Sequence, residues 1–302
     1  MTENEALLQR KTMRTHVRFL VSIALFLLGT GVSLAQEVAN TAAGTALSGA
    51  ARSAAVGPTA LEYNPAAMHQ VIQYAVDTGY YYNAPSSAHG FTAAIVDSKT
   101  NQALAAGFSY TFMMDQSLNS NQKLSERTGH VVRGALASGY RTEGLSVHLG
   151  GSITYFDSDL SGADREKSVT MDAGLLLVAN NIFRLAVVGH NLIETDSSDL
   201  PRRLGIGSSF FMNSFLLAFD AVLDFETLDS TTVQYKAGAE YSIAEQFPIR
   251  IGYQYDDLVQ EQYISRGIGL MTPTVGFEFG FRQNLSNKKD NLFSFNLRAY
   301  LP

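Results

Sequence analysis

The residue types that carry most enzymatic and metal chemistry are absent or scattered in this 302-residue chain. Cysteine is missing, so a thiol nucleophile, a cysteine-bound metal and a disulfide are all excluded. The six histidines do not pair with one another at metal-ligand spacing, and no G-x-S-x-G, H-E-x-x-H or P-loop motif is present. We therefore predict a protein that is not an enzyme, with no catalytic residue, no cofactor and no metal site.

One acidic segment resembles the start of a calcium loop. Residues 157–162 follow the D-x-D-x-S-G order, and Asp164 adds a further carboxylate. The twelfth position of such a loop should be a bidentate Glu, but here it is Ser168. A solvated acidic loop is the favoured interpretation.

Composition favours strands and turns. Aromatic residues make up 11% of the chain and charged residues 17%, and there are 25 glycines. The net charge is −6, which excludes nucleic acid as an expected partner, because phosphate neutralisation needs clustered Lys and Arg.

The first 35 residues are typical of a secretory signal peptide. Four basic side chains precede the apolar run 19–34, and Ser33 and Ala35 stand at cleavage spacing. The alternative is an anchoring helix, but the run of about 16 residues is shorter than the roughly 20 that span a bilayer. Met13 is an alternative start, since beginning there leaves a short basic region. Either start predicts an exported protein.

Period-two alternation dominates the chain after residue 70. In 274–282, four large apolar side chains alternate with glycines and charged side chains. The same split recurs in 231–241, 247–255 and 292–300. We count about fourteen such segments, each of roughly 9 to 13 residues, the length that crosses a bilayer at a tilt. Their predicted centres are Asp77, Ala94, Phe108, Gly134, Gly150, Ala173, Leu185, Ile206, Phe219, Ala237, Gly252, Ile268, Phe277 and Phe295.

The predicted connections alternate between short and longer ones, as in outer-membrane barrels with short periplasmic turns. Closure follows because an open edge in hydrocarbon would leave unpaired amides. The predicted fold is all-β: a transmembrane antiparallel β-barrel of about 14 strands over residues 71–302, in the outer membrane of a Gram-negative (diderm) bacterium.

Two sets of residues follow from the predicted register. Aromatic side chains at strand ends fit interfacial girdles: Tyr80, Tyr81, Tyr82, Tyr110, Tyr140, Tyr155, Tyr253, Tyr255 and Tyr300. Mixed charges are predicted to form a polar network inside the barrel: Asp77, Asp172, Asp220, Lys236, Glu240, Arg250, Glu278, Arg282 and Arg298. Two positions fit poorly, since neither face around Arg133 is cleanly apolar and Arg266 shares a face with Ile264 and Ile268.

Residues 36–70 do not alternate and are rich in Ala, Gly, Ser and Thr. Such a segment cannot form a core of its own, so it either packs inside the wide barrel or stays disordered. We predict a plug.

Within this segment, Tyr63, Asn64, Pro65, Ala66 and Met68 resemble the signature that precedes the first strand in the FadL-like superfamily, with Ala67 where Gly is usual. That superfamily includes long-chain fatty-acid transporters, aromatic-hydrocarbon porins and PorV/PorQ-type barrels of type IX secretion. The stretches 188–192 and 200–205 are similar to a PorV-like pattern.

The resemblance implies a fourteen-strand barrel with an N-terminal plug, in some members admitting hydrophobic molecules. We predict passive uptake of hydrophobic small molecules, with an apolar pocket beside Tyr63–Met68. The alternatives are a PorV/PorQ-like barrel that docks secreted or surface proteins and a purely structural barrel. The expected partners are outer-membrane lipid, a hydrophobic ligand or detergent in the lumen, and, for the docking alternative, a secretion or surface protein. A sealed lumen would favour docking.

Overall fold

The computed structural model describes residues 41–84, 86–118, 124–161, 165–195, 197–228 and 230–302. The predicted signal peptide, the first residues of the predicted plug (36–40) and part of the acidic segment (162–164) lie outside these residues.

Fourteen antiparallel strands close into a barrel in which sequence neighbours pair and the first strand pairs with the last. The strands are β1 Tyr74–Asn83, β2 Ala88–Asp97, β3 Ala105–Leu118, β4 Leu124–Thr142, β5 Leu145–Leu160, β6 Glu166–Ala179, β7 Phe183–His190, β8 Arg203–Met212, β9 Phe215–Asp224, β10 Thr232–Ile243, β11 Phe247–Asp256, β12 Glu261–Met271, β13 Val275–Asn284 and β14 Asn291–Tyr300. Each predicted centre lies within its strand, so the predicted fold is confirmed.

Four strands are longer than predicted. β4 has 19 residues, β5 has 16, and β3 and β6 have 14 each. Much of the predicted loop 115–126 is strand, with Gln116 opposite Glu126. A hairpin that extends beyond the bilayer needs no apolar face. Its strands can therefore continue past the point where the alternation of apolar and polar residues, on which the prediction rests, has ended. The contrast between short and long connections is also weaker than predicted, since 98–104 and 225–231 are equally long.

The wall is apolar outside and polar inside. In β11, outward-facing Ile251 is 62% exposed, whereas inward-facing Gln254 is 1% exposed. Tyr81 is a correction to the predicted girdle: it is 4% exposed and packs inside against Gly90. In a run of three tyrosines, the middle one must face the opposite way from Tyr80 and Tyr82. Among the described residues, no helix has the length and apolar character needed to cross a membrane.

The plug, residues 41–70, lies inside this barrel. It contains the short helices α1 (Ala42–Ala46) and α2 (Ala60–Tyr63) and two 3₁₀ helices, Gly57–Thr59 and Pro65–His69. Thr41 Oγ1 accepts a hydrogen bond from the N–H of Gly44 at the start of α1 (3.2 Å). Plug residues such as Leu61 and Met68 are completely buried, so the plug is part of the folded core.

Glycines on the inner wall let the plug approach the strands. A Cβ at Gly150 would lie 2.4 Å from the backbone nitrogen of Ala66, and one at Gly174 would lie 2.1 Å from Asn64 Oδ1. At nine described wall glycines an added Cβ would lie less than 3.0 Å from a plug atom: Gly107, Gly139, Gly150, Gly174, Gly205, Gly238, Gly252, Gly267 and Gly280. The glycines on the inward-facing side of the strands therefore give the wall a surface that fits the plug.

A side chain at Gly150 is expected to unseat the plug. Backbone atoms of Ala66 cannot rotate away, so Gly150→Val should destabilise the barrel by about 1–3 kcal/mol in a urea titration and speed protease cleavage of the plug. Gly134 is the matched control, because it points outward on β4 and has no atom within 4 Å of an added Cβ. Gly134→Val should leave stability and cleavage unchanged; equal losses in both variants would rule out plug contact as the cause.

Candidate functional site

The plug is anchored to the wall by a buried ion pair. Arg52 Nη1 lies 3.2 Å from Asp220 Oδ2 on β9, with the two side chains 7% and 0% exposed. The same carboxylate oxygen accepts the backbone N–H groups of Ala51 and Arg52, each at 3.0 Å. One buried carboxylate therefore accepts three hydrogen bonds from the plug.

A second anchor involves Arg133, one of the two positions that fitted the strand pattern poorly. Arg133 faces the lumen, where its guanidinium is ion-paired with Glu62 and donates to Leu61 O (3.2 Å) and Thr154 Oγ1 (3.0 Å). Ser109 Oγ donates to the other Glu62 oxygen at 3.0 Å. The polar inner face around Arg133 thus exists to bind the plug.

The motif residues make plug contacts rather than a pocket. Asn64 is fully buried; its amide donates to Arg52 O (3.1 Å), and its Oδ1 accepts the N–H of Ala66 (3.1 Å) at the start of a 3₁₀ helix. Pro65 and Ala66 pack on Gly150, and Met68 packs on Gly107.

Tyr63 packs against α1. Its hydroxyl group lies against Gly44, where an added Cβ would be 2.0 Å from Tyr63 Oη. The ring thereby holds the second half of the plug against the first.

The nine residues of the predicted polar network all face the lumen. Five of them form one connected set across β10, β11, β13, β14 and β1. Arg250 pairs with Glu240 (2.6 Å) and Glu278 (2.7 Å). Arg298 pairs with Asp77 (2.9 Å), lies 3.7 Å from Glu278 and donates to Thr59 of the plug (2.9 Å). This network therefore both braces the wall and holds the plug.

The other four members are placed separately. Asp220 is the plug anchor, and Asp172 accepts the N–H of Asn191 at 2.9 Å and lies 3.6 Å from His190 Nδ1. Lys236 lies against Gly49 of the plug, and the Arg282 guanidinium stacks 4.8 Å above the Tyr263 ring.

A histidine pair that the sequence analysis missed holds the end of the plug. His69 Nδ1 lies 3.3 Å from His148 Nδ1, and His69 Nε2 lies 2.8 Å from Gln102 O. A carbonyl only accepts, so Nε2 of His69 donates to Gln102 O. Arg141 adds a hydrogen bond to Gln70 O at 2.8 Å. The two histidines are 79 residues apart, so spacing could not reveal the pair.

The predicted apolar pocket beside Tyr63–Met68 is wrong. The apolar side of the plug is packed against small and branched wall residues of β2–β7, including Val96, Leu176 and Val178. Because the plug and wall both carry small residues here, they meet directly and leave a filled core.

The cavity that adjoins Tyr63 is small and polar. It has a volume of about 60 Å³, and its charged lining residues are Arg52, Glu62, Arg133, Asp172, Lys236 and Arg282. In the ladders that β3 and β4 form, partner residues follow one another without a skipped position. The plug fills the barrel beside β2–β7 in this conformation.

The outer loop between β7 and β8, described over residues 191–195 and 197–202, borders this cavity. Asp199 Oδ2 lies 2.9 Å from Arg127 Nη1 on β4, and Arg127 also pairs with Asp115 (3.2 Å). Leu200 is 4% exposed and lines the cavity roof. Part of the stretch that resembles PorV-like proteins, including Asn191 and Leu200, therefore lines this cavity.

An apolar hollow of about 480 Å³ lies on the outward face of β7–β11. It forms where Ser208, Ala221 and Ala237 are small and their neighbours are large. Its large lining side chains are Leu185, Ile206, Phe219, Tyr235 and Tyr253. This surface suits an acyl chain or a hydrophobic ligand.

The acidic segment around Asp157 shows an ion pair. Arg165 donates two hydrogen bonds to the Asp157 carboxylate, at 2.6 and 2.7 Å. Across the described ranges, no three His, Asp or Glu side chains are grouped so that they could hold a metal ion.

No protein-family model and no curated protein matches the chain. Several solved structures are similar to it. The CymD monoaromatic hydrocarbon channel has a TM-score of 0.67 at 13% identity, covering 86% of this chain and 97% of that one. A Pseudomonas aeruginosa FadL homologue (TM-score 0.60, 13% identity, 86% and 98% covered) and the Ralstonia pickettii toluene transporter TbuX (0.57, 13%, 86% and 97%) follow. This chain has the fold of the FadL-like outer-membrane barrels that its sequence resembles.

Proposed function

We propose that this protein admits hydrophobic small molecules passively across the outer membrane of a Gram-negative bacterium. The observation that carries the proposal is the fold, shared over nearly the full length of barrels described as a monoaromatic hydrocarbon channel and a toluene transporter. Export by the predicted signal peptide belongs to the same proposal. The similar structures reported above give no support to the PorV/PorQ-like docking alternative.

The plug is packed against the wall in the conformation described here, so passage along that wall requires the plug to move. Displacing the plug from β2–β7 would uncover the small and branched apolar side chains that its apolar side now covers, including Val96, Leu176 and Val178. A hydrophobic solute can replace these contacts at little cost, because apolar contacts have no direction. A displacement on this side must also break the Arg133–Glu62 pair, whereas on the opposite side it would break the hydrogen bonds that the plug makes to Asp220 and Arg298. We therefore place the route along β2–β7.

The outer loop is the second barrier on this route. Its contact with β4 is held by the Arg127–Asp199 pair over the cavity. A solute that enters from outside must pass this loop before it reaches the plug. The proposed channel thus opens in two steps.

Uptake by intact cells tests the proposal. Cells that lack their own hydrocarbon channels and carry a lipopolysaccharide outer membrane should take up labelled toluene several-fold faster when they produce this protein than with an empty vector. A barrel of similar size without a plug is the control for leakage caused by overproduction. Equal rates with and without the protein would remove the transport function and leave a structural barrel.

A further inference from the structure

Arg266 is a charged side chain in the middle of the lipid-facing wall. It lies on β12, five residues from Glu261 at one end and five from Met271 at the other. It is exposed on the outward face, with Ile251 and Phe281 opposite it on the neighbouring strands. This is the second position that fitted the sequence pattern poorly.

No other charged residue occupies such a depth on the described outward-facing strand positions. The remaining outward charges all lie within three residues of a strand end: Asp97, Glu126, Asp157, Asp159 and Lys167. A cationic side chain at mid-bilayer depth disfavours folding by roughly 30- to 900-fold in the equilibrium constant. A position that carries this cost is a candidate for a specific contact.

Contacts within the chain offset only part of the cost. The guanidinium carbon lies 5.1 Å from the centre of the Phe281 ring, a cation–π contact. Within the described residues, no carboxylate forms an ion pair with Arg266. A second copy of this barrel would not supply one either, because the described wall has no acidic side chain at the same depth.

Polar groups lead from Arg266 toward the edge of the barrel that carries loop 257–260. On β12, Ile264 is the next outward-facing residue from Arg266 toward this edge, and Gln283 of β13 lies opposite it. The outward-facing residue after that is Gln262, and Tyr255 of β11 lies opposite it. A long side chain at this depth can extend toward the headgroups while its methylene groups stay in hydrocarbon. In the register of β11–β13, Gln262, Gln283 and Tyr255 lie between Arg266 and this edge; the Gln283 amide donates to Asn291 Oδ1 at 3.0 Å.

We propose that Arg266 binds the phosphate of an anionic membrane lipid, held on the outer surface of β11–β13 with Gln262, Gln283 and Tyr255 around its headgroup. Guanidinium and phosphate are complementary in charge and in hydrogen-bond geometry. The contact would hold lipid at a fixed place on the wall. The proposal is independent of transport and requires only that the barrel spans a membrane.

Folding into vesicles of two compositions tests this site. The wild type and Arg266→Leu are folded into zwitterionic phosphatidylcholine and into phosphatidylglycerol of the same chain length, and urea titrations give the folding equilibrium constants. In phosphatidylcholine the variant should fold more favourably by roughly 30- to 900-fold. In phosphatidylglycerol this gain should shrink at least tenfold, because the wild type then has its phosphate partner. An equal gain in both lipids would overturn the proposal.

Lys289→Leu is the matched control for the general attraction of cations to an anionic vesicle. Lys289 is exposed in the loop between β13 and β14, in the same sector of the barrel. Its removal should change the equilibrium constants in the two lipids by similar small factors. A lipid dependence as large as that of Arg266→Leu would assign the effect to surface potential and reject the site. Native mass spectrometry should show one retained phosphatidylglycerol that is lost in Arg266→Leu.

Discussion

Uptake should stop when a disulfide joins the plug to the wall through Ser48→Cys and Ser265→Cys. The two hydroxyl oxygens lie 2.7 Å apart, close to the S–S length of about 2.05 Å, so a bridge needs little movement. The native chain has no cysteine, so no competing disulfide forms. Tyr63 packs on α1 and Asn64 donates to Arg52 O, so the two halves of the plug move together and a tether at Ser48 also holds the half that covers β2–β7. If the plug must move for a solute to pass, the oxidised variant should lose at least about 90% of toluene uptake, a barrier increase of about 1.4 kcal/mol or more.

The reduced form of the same variant is the first control, and a reductant should restore its uptake. A second control joins two wall strands and leaves the plug free, through Thr92→Cys and Thr111→Cys, whose hydroxyl oxygens lie 3.0 Å apart. This bridge should leave uptake unchanged. Full uptake by the oxidised Ser48–Ser265 variant would show that solutes pass without plug displacement, even if the protein is a channel.

Asp220→Asn is expected to lower the free energy of unfolding by about 3–5 kcal/mol, because removal of one partner leaves the other charge buried and uncompensated. Arg52 has little access to water, and the same carboxylate also accepts two backbone N–H groups of the plug. The plug should also become sensitive to protease before the barrel unfolds. Urea titration and timed proteolysis measure the two effects.

Replacing both Arg52 and Asp220 separates the effect of an unpaired buried charge from the effect of losing the contact between plug and wall. Arg52→Met with Asp220→Asn removes both charges while the Asn oxygen can still accept from the plug backbone, so the pair of changes should recover a large part of the lost stability. Glu226→Gln is the matched single change at an exposed pair, since Arg202 is 44% exposed, and should cost less than about 1 kcal/mol. If Glu226→Gln lowered the free energy of unfolding as much as Asp220→Asn does, burial would not explain the contribution of the Arg52–Asp220 pair to stability.

The strands and their faces could be predicted because the signal is local. In β13, each residue's neighbours at i±2 share its face, so Phe277, Phe279 and Glu278 are assigned by period-two alternation alone. The hydrocarbon makes that alternation strict, since an outward charge is costly over the whole spanning length. The prediction failed where this constraint ends, in the extensions of β4 and β5 beyond the bilayer.

Some of the site was also predictable. The inward charges are given by the same register, and the small-residue composition of 36–70 indicated a segment that packs against an existing structure. The motif at Tyr63–Met68 was recognised without its role, because Asn64 acts through Arg52 O and the wall backbone. Backbone partners leave no pattern in a sequence.

The alternation of oily and polar side chains, read along the chain alone, determined that a barrel forms, which residues line it and that something must fill it. Only the tertiary structure decided how it is filled, because the decisive contacts join residues far apart: Arg52 to Asp220 across 168 positions and His69 to His148 across 79. Whether the lumen is open or sealed depends on these pairings and on the fit of plug atoms to bare glycines. Such distances are set by closure of the whole sheet, and no local pattern encodes them.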